Sequence, residues 1–140
     1  MPARRGPFIA FLLSLLIYAG IFMLSSLPAS ALPGNIPDII PHCIEYAILA
    51  FFFIRVCRDA HDRKQAAAAC AALLLLAFLD ELHQSAVPGR FCKAEDLLFD
   101  ALGIALGLLA YFRLERVSAA NRGSRWARWL NENWFNSRPA

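Results

Sequence analysis

Nine side chains in this chain could hold a phosphate, a cation or a proton at the edges of hydrophobic runs: His42, Glu45, Tyr46, Asp80, Glu81, Gln84, Arg90, Asp96 and Asp100. His42, Glu45 and Tyr46 fall at i, i+3 and i+4, so on a helix they project from one face. Asp80 and Gln84 are four apart and Glu81 and Gln84 three apart, which lets Gln84 face either acid on a helix. Asp96, Asp100, Gly103 and Gly107 follow at i, i+4, i+7 and i+11, a single stripe that is acidic in its first half and small in its second. The planar fork of an arginine such as Arg90 suits phosphate. Carboxylates accept amines, hydroxyls or hard cations, and a His or Glu in reach of a substrate proton is a general base. Ionisable side chains at membrane depth are costly, so they read first as a functional site facing the interior of a helix bundle.

The elements that position these groups follow from hydropathy. The chain is 59% hydrophobic with a mean hydropathy of +0.47, above the ~45–50% apolar usage of an ordinary soluble domain. Residues 8–27 contain no charge and are preceded by Arg4 and Arg5. A helix of that length spans about 30 Å, enough to cross the hydrocarbon core. Ala29-Ser30-Ala31 has the look of a signal-peptide cleavage site, but the apolar run is longer than the ~7–15 residues usual for one, which favours a retained first helix.

Pro28, Pro33, Pro37 and Pro41 with Gly34 and Asn35 make a loop. Residues 42–57 form a second apolar run, short for a span unless Ile39 and Ile40 or a tilt extend it, and Pro41 fits its first turn. The segment 58–65 is a short polar loop, with His61 as a solvated residue. A third span covers 66–82 and a fourth 94–114, joined by a turn at Pro88-Gly89. Gly103-x-x-x-Gly107 permits close approach of a neighbouring backbone in lipid. In the tail, Trp126, Leu130 and Trp134 recur every four residues apart from Arg125, Arg128 and Asn131, the pattern of a helix lying in the membrane interface.

The expected fold is all-α: a four-helix transmembrane bundle over residues 1–117, with a basic, Trp-rich cytoplasmic tail over 118–140. Basic residues mark the cytoplasmic side of short loops. Twelve of the fourteen Lys and Arg residues lie at the N-terminus (Arg4, Arg5), around the middle loop (Arg55, Arg58, Arg63, Lys64) and in the tail; only Arg90 and Lys93 remain for the other side. Both termini are therefore expected in the cytoplasm, with the protein in the inner membrane. Seven of the eleven acids, from Asp38 to Asp100, belong to the opposite side. His83, rotated about 100° from its neighbours on the helix, is an interfacial residue. The basic residues form no dense soluble patch, which argues against a nucleic-acid partner. Cys43, Cys57, Cys70 and Cys92 show no zinc-like spacing and read as fillers between helices, although Cys43 and Cys92 share the acidic side. No motif demands a cofactor.

Asp38-x-x-x-His42-x-x-Glu45-Tyr46-x-x-Leu49, and then Asp80-Glu81-x-x-Gln84, Val87-Pro88-Gly89-Arg90, Glu95-Asp96 and Asp100 with Leu102-Gly103 and Gly107, resemble the VanZ-like family of small bacterial membrane proteins. The family is named for a protein associated with low-level resistance to the glycopeptide teicoplanin. It often has a Lys where this chain has Ile39, and commonly an Asn at Asp100. The resemblance implies a four-helix envelope protein and no particular reaction. Three readings of the cluster stand side by side. In one, the outward pocket binds a lipid head group or envelope precursor. In another, it is an intramembrane enzyme with His42 or Glu81 as base and a cation held by Asp96, Asp100 and Glu45. In the third, it is a polar network in which Arg90 pairs Glu81 or Asp96, His42 bonds Asp80 or Asp100, and helix register is locked. Proton translocation is disfavoured, because no acid or His lies in the inner half of any span. The topology is directly testable: a reporter fused after Gln65 should read cytoplasmic and one fused after Arg90 external, and the reverse pattern would invert the orientation.

Overall fold

The computed structural model describes residues 5–32, 37–57 and 59–135. Arg4 and Arg58, used above for orientation, Arg138 among the basic residues of the tail, and Pro33, Gly34 and Asn35 of the proline loop lie outside the described residues. Five α-helices follow in order: α1 (Arg5–Ser25), α2 (Ile39–Phe53), α3 (Arg63–Gln84), α4 (Ala94–Ala120) and α5 (Arg125–Leu130). Four of these segments are long and apolar enough to cross a membrane, counting a 3₁₀ turn Ile54–Val56 that prolongs α2. Pro41 sits in the first turn of α2, where its missing N–H costs no hydrogen bond. Asp62 caps α3, accepting the Gln65 N–H at 2.9 Å, which is why that helix starts before the apolar run.

The bundle is turned inside out relative to a soluble protein. Leu16 (69% exposed), Met23 (71%) and Leu98 (68%) lie outside, while Asp80, Glu81, Asp96 and Asp100 are buried. Such a surface is stable only against lipid, and it makes this chain a multi-pass membrane protein.

The closest pair of helices is α2 and α4, with α1 against α2 and α3 against α4. The glycine stripe makes that approach. A Cβ on Gly103 would lie 3.0 Å from the Cys43 Cα, and one on Gly107 2.9 Å from the Ala47 carbonyl carbon. Both obstacles are backbone, which cannot swing away. On α1, Ala10, Ser14, Ile21 and Ser25 are buried on one stripe, so the first helix is packed into the bundle at both of its ends.

At the end of the bundle away from the acids, the tail folds back on the helices. Asn131 Nδ2 donates to the Ser118 carbonyl at 3.1 Å, and the Ser118 hydroxyl donates to the Ala127 carbonyl at 3.2 Å. Phe135 packs on Tyr111 and Trp134 on Phe52, and Arg55 Nε donates to the Trp134 carbonyl. The expected Trp126–Leu130–Trp134 stripe is thus not the organising face. Trp126 is exposed, and the buried positions are Ala127, Asn131 and Phe135, a face offset by one residue that begins in α5 and continues through the π-helical turn at Asn131–Phe135.

Gly107→Ala should lower the melting midpoint of the detergent-solubilised protein, since overpacking typically costs about 1–3 kcal/mol. Gly20→Ala, whose Cβ meets nothing within 4 Å, should be neutral or stabilising. Equal melting curves for both variants would contradict the close α2–α4 approach.

Candidate functional site

The first turns of α2 and α4 and the last turns of α1 and α3 meet at one end of the bundle, because short connections alternate the helix directions. His42 Nδ1 lies 2.8 Å from Asp100 Oδ1, with both residues buried. Asp96 is buried one turn before Asp100. Tyr46 is fully buried beneath His42 in the apolar core, and its hydroxyl has no hydrogen-bond partner among the described residues.

From the other side, α1 and α3 share a second polar knot. The Ser25 hydroxyl donates to Asp80 Oδ2 at 2.7 Å, and Gln84 Nε2 donates to the same oxygen at 3.1 Å and to Ser25 Oγ at 3.3 Å. Gln84 Oε1 accepts from Arg90 Nη2. The turn that returns Arg90 to Gln84 has Gly89 at φ 77° and an Arg90 N–H to Val87 carbonyl bond of 3.1 Å. Only glycine takes that conformation without strain. Farther along, the Lys93 N–H donates to Glu81 Oε2 at 3.2 Å, and Lys93 Nζ meets Asp38 Oδ2 at 2.6 Å. The Lys93 hydrogen bond holds the Asp38 carboxyl below the usual carboxylate range, and Asp38 in turn pushes the Lys93 ammonium up. That bridge is exposed and worth little in energy, but it tethers the loop before α4 to the start of α2. It also supplies from Lys93 the cation that Ile39 does not.

Between these groups lies a cavity of about 210 Å³. Leu24, Leu32 and Pro41 give it apolar walls; Ser25, Asp38, His42, Glu45, Gln84 and Arg90 give it polar ones. A mixed lining of this kind suits a ligand with a charged head and an apolar stem. Asp80 Oδ1, Glu81 Oε1, Asp96 Oδ1 and Asp100 Oδ2 are buried without a hydrogen-bond partner among the described residues. Potential ligand atoms of His42, Glu81 and Asp100 all lie within 4.8 Å of one another.

All nine residues singled out from the sequence sit at this end, in different roles. Glu45 and Arg90 face the cavity, His42 belongs both to the cavity wall and to the buried trio, and Tyr46 lies below. Of the cation set Asp96, Asp100 and Glu45, only Asp100 belongs to the trio the fold assembles. The network reading is corrected in one bond: Arg90 reaches Gln84, whereas His42 does meet Asp100 as one alternative had it. His61 is not merely solvated, because its Nε2 lies 2.9 Å from Glu115 Oε2. His83 stacks on Phe22 at 4.3 Å and bonds Ser26 at 3.0 Å, away from the cluster. Cys43 fills the α2–α4 seam, its thiol on the Phe99 carbonyl at 3.2 Å, but Cys92 is exposed and fills no gap; both are free thiols.

Sequence reasoning missed Ser25, which supplies one of the two donors on Asp80 Oδ2. Its signal was the spacing Ala10, Ser14, Ile21, Ser25, a stripe of small and polar residues in a run otherwise read as a plain anchor.

No curated protein and no solved structure matches the chain. A family model described as VanZ/LLP1 matches residues 9–115, which takes in the second and third spans, most of the first and fourth, and every residue of the cluster. With the buried acid–histidine end and the glycine seam falling inside the matched region, this chain belongs to the VanZ/LLP1 family of membrane proteins.

Proposed function

We propose that this protein resides in the bacterial inner membrane with both termini in the cytoplasm, and that its acidic end faces the envelope. There the cavity binds the phosphate-bearing head group of a lipid or lipid-linked envelope precursor. What carries the reading is the cavity's composition: Arg90 and His42 as cationic or donor groups, Leu24 and Leu32 as apolar ones, and Ser25, Glu45 and Gln84 as further polar lining. Arg90 is held by a neutral amide rather than by an acid, so its charge is not cancelled by its own anchor and is available to an anion. Asp38 and Glu45 would take hydroxyls or amines of the same head group. Occupancy by a membrane-anchored precursor would change how readily a glycopeptide such as teicoplanin reaches it, which links the pocket to drug susceptibility.

A second reading, an enzyme acting on such a lipid, draws on one specific observation. His42 is oriented by Asp100 at 2.8 Å and borders the cavity, the relation a general base has to its orienting carboxylate.

Nanodiscs holding the protein and a polyprenyl monophosphate separate these readings. Saturable binding is expected for the phosphate and not for the free polyprenol, weakened about tenfold or more by Arg90→Ala, since a hydrogen bond to a charged group is worth about 1.5–3 kcal/mol. Conversion of the lipid, followed by mass spectrometry, would select the enzyme. If Arg90→Ala and Glu81→Gln fail to accumulate in the membrane, the cluster is structural. Indifference to the phosphate would overturn the binding proposal.

A further inference from the structure

We infer that His42, Glu81 and Asp100 form a binding site for one divalent cation of the zinc class, buried where α2, α3 and α4 meet and reached from the cavity at His42. The three side chains come from three helices, are 6%, 1% and 0% exposed, and offer ligand atoms within 4.8 Å of one another. Metal–ligand bonds of about 2.0–2.2 Å place such atoms about 3.4 Å apart in a tetrahedral site, so a bound cation would take the place of the proton between His42 Nδ1 and Asp100 Oδ1, now 2.8 Å apart.

A second observation points to a ligand independently. Glu81 Oε1 and Asp100 Oδ2 are buried and unpartnered. An unsatisfied buried oxygen costs about 1–3 kcal/mol, and more when charged. Among the described residues, neither Arg90, which donates to Gln84, nor the Lys93 ammonium, which meets Asp38, makes a hydrogen bond to these two oxygens. Meanwhile Asp80, Glu81, Asp96 and Asp100 crowd one buried end. A divalent cation answers both the missing partners and the missing charge.

The donor set selects the metal. One imidazole with two carboxylates suits zinc, while magnesium and calcium favour all-oxygen shells of six or more ligands. Three protein ligands leave a coordination position for water or another oxygen ligand. The inference goes beyond head-group binding and does not require it, because the metal alone is the probe.

The test is titration of metal-stripped full-length protein in detergent with ZnCl₂, and with CoCl₂ followed by its visible absorption. One equivalent should bind saturably and raise the melting midpoint, with MgCl₂ at the same concentration inert. Asp100→Asn and Glu81→Gln, which preserve side-chain shape, should each weaken binding at least about tenfold and remove the cobalt band. Cys92→Ser, at the exposed thiol, should leave both unchanged. Should either carboxamide variant misfold, the wild-type titration decides alone. Absence of saturable zinc binding to wild-type protein, or binding that survives in folded Asp100→Asn and Glu81→Gln, would overturn the site.

Discussion

The approach of α4 to the backbone of α2 at Gly103 and Gly107 is the constraint on which the rest of the molecule depends. With no hydrophobic force to drive helices together inside lipid, association rests on close packing and on hydrogen bonds between helices. Two glycines, one turn apart, let the backbones meet at Cys43 and Ala47. The stripe that carries them also carries Asp96 and Asp100, so the register that seats the glycines delivers Asp100 to His42. Packing and polar chemistry are thus one decision on α4. A side chain at either glycine would push the carboxylate away from its partner as well as loosen the seam.

Around that pair the other two spans close the cavity. α3 contributes Asp80, Glu81 and Gln84 from its last two turns, and α1 contributes a serine that bonds Asp80. α1 is therefore more than an anchor: without Ser25, Asp80 would lose one of the two donors on its Oδ2. The arrangement concentrates negative charge at one end of the bundle, where the macrodipole favours the acids that begin α4 but opposes Asp80 and Glu81 in the last turns of α3, which depend on their hydrogen bonds instead. Glu95 and Asp96 occupy the first turn of α4 on the same principle. The opposite end is organised differently, by aromatic rings and by α5 bound to Ser118, and its exposed surface carries Arg113, Arg116, Arg125 and Arg128.

Much of this was legible in the residues. Apolar length gave the four spans, prolines gave the first connection, and the spacing of Asp96, Asp100, Gly103 and Gly107 gave the buried face of α4, because a helix with acids and glycines on one side has nowhere else to hide them. Helix ends were less legible. Hydropathy marks where the chain meets lipid, whereas the hydrogen-bonded helix runs on through Arg113, Glu115 and Arg116 to Ala120. Pairings between side chains were the least legible. Arg90 looked like the partner of an acid by charge, but the Pro88-Gly89 turn fixes where its guanidinium arrives, and Gln84 is what stands there. In the tail, the tryptophans drew attention, yet Trp126 is exposed, Trp134 packs only in part, and the buried face runs through Ala127, Asn131 and Phe135.

A double-mutant cycle on His42 and Asp100 tests the central claim most directly, using His42→Gln, Asp100→Asn and the double variant, with stability measured by reversible unfolding in detergent. A buried, hydrogen-bonded pair at the α2–α4 seam should show a coupling of about 0.5–3 kcal/mol, the double variant costing less than the two single variants added together. Strict additivity would mean that the two side chains do not meet, and the convergence of α2 and α4 on one polar site would be wrong.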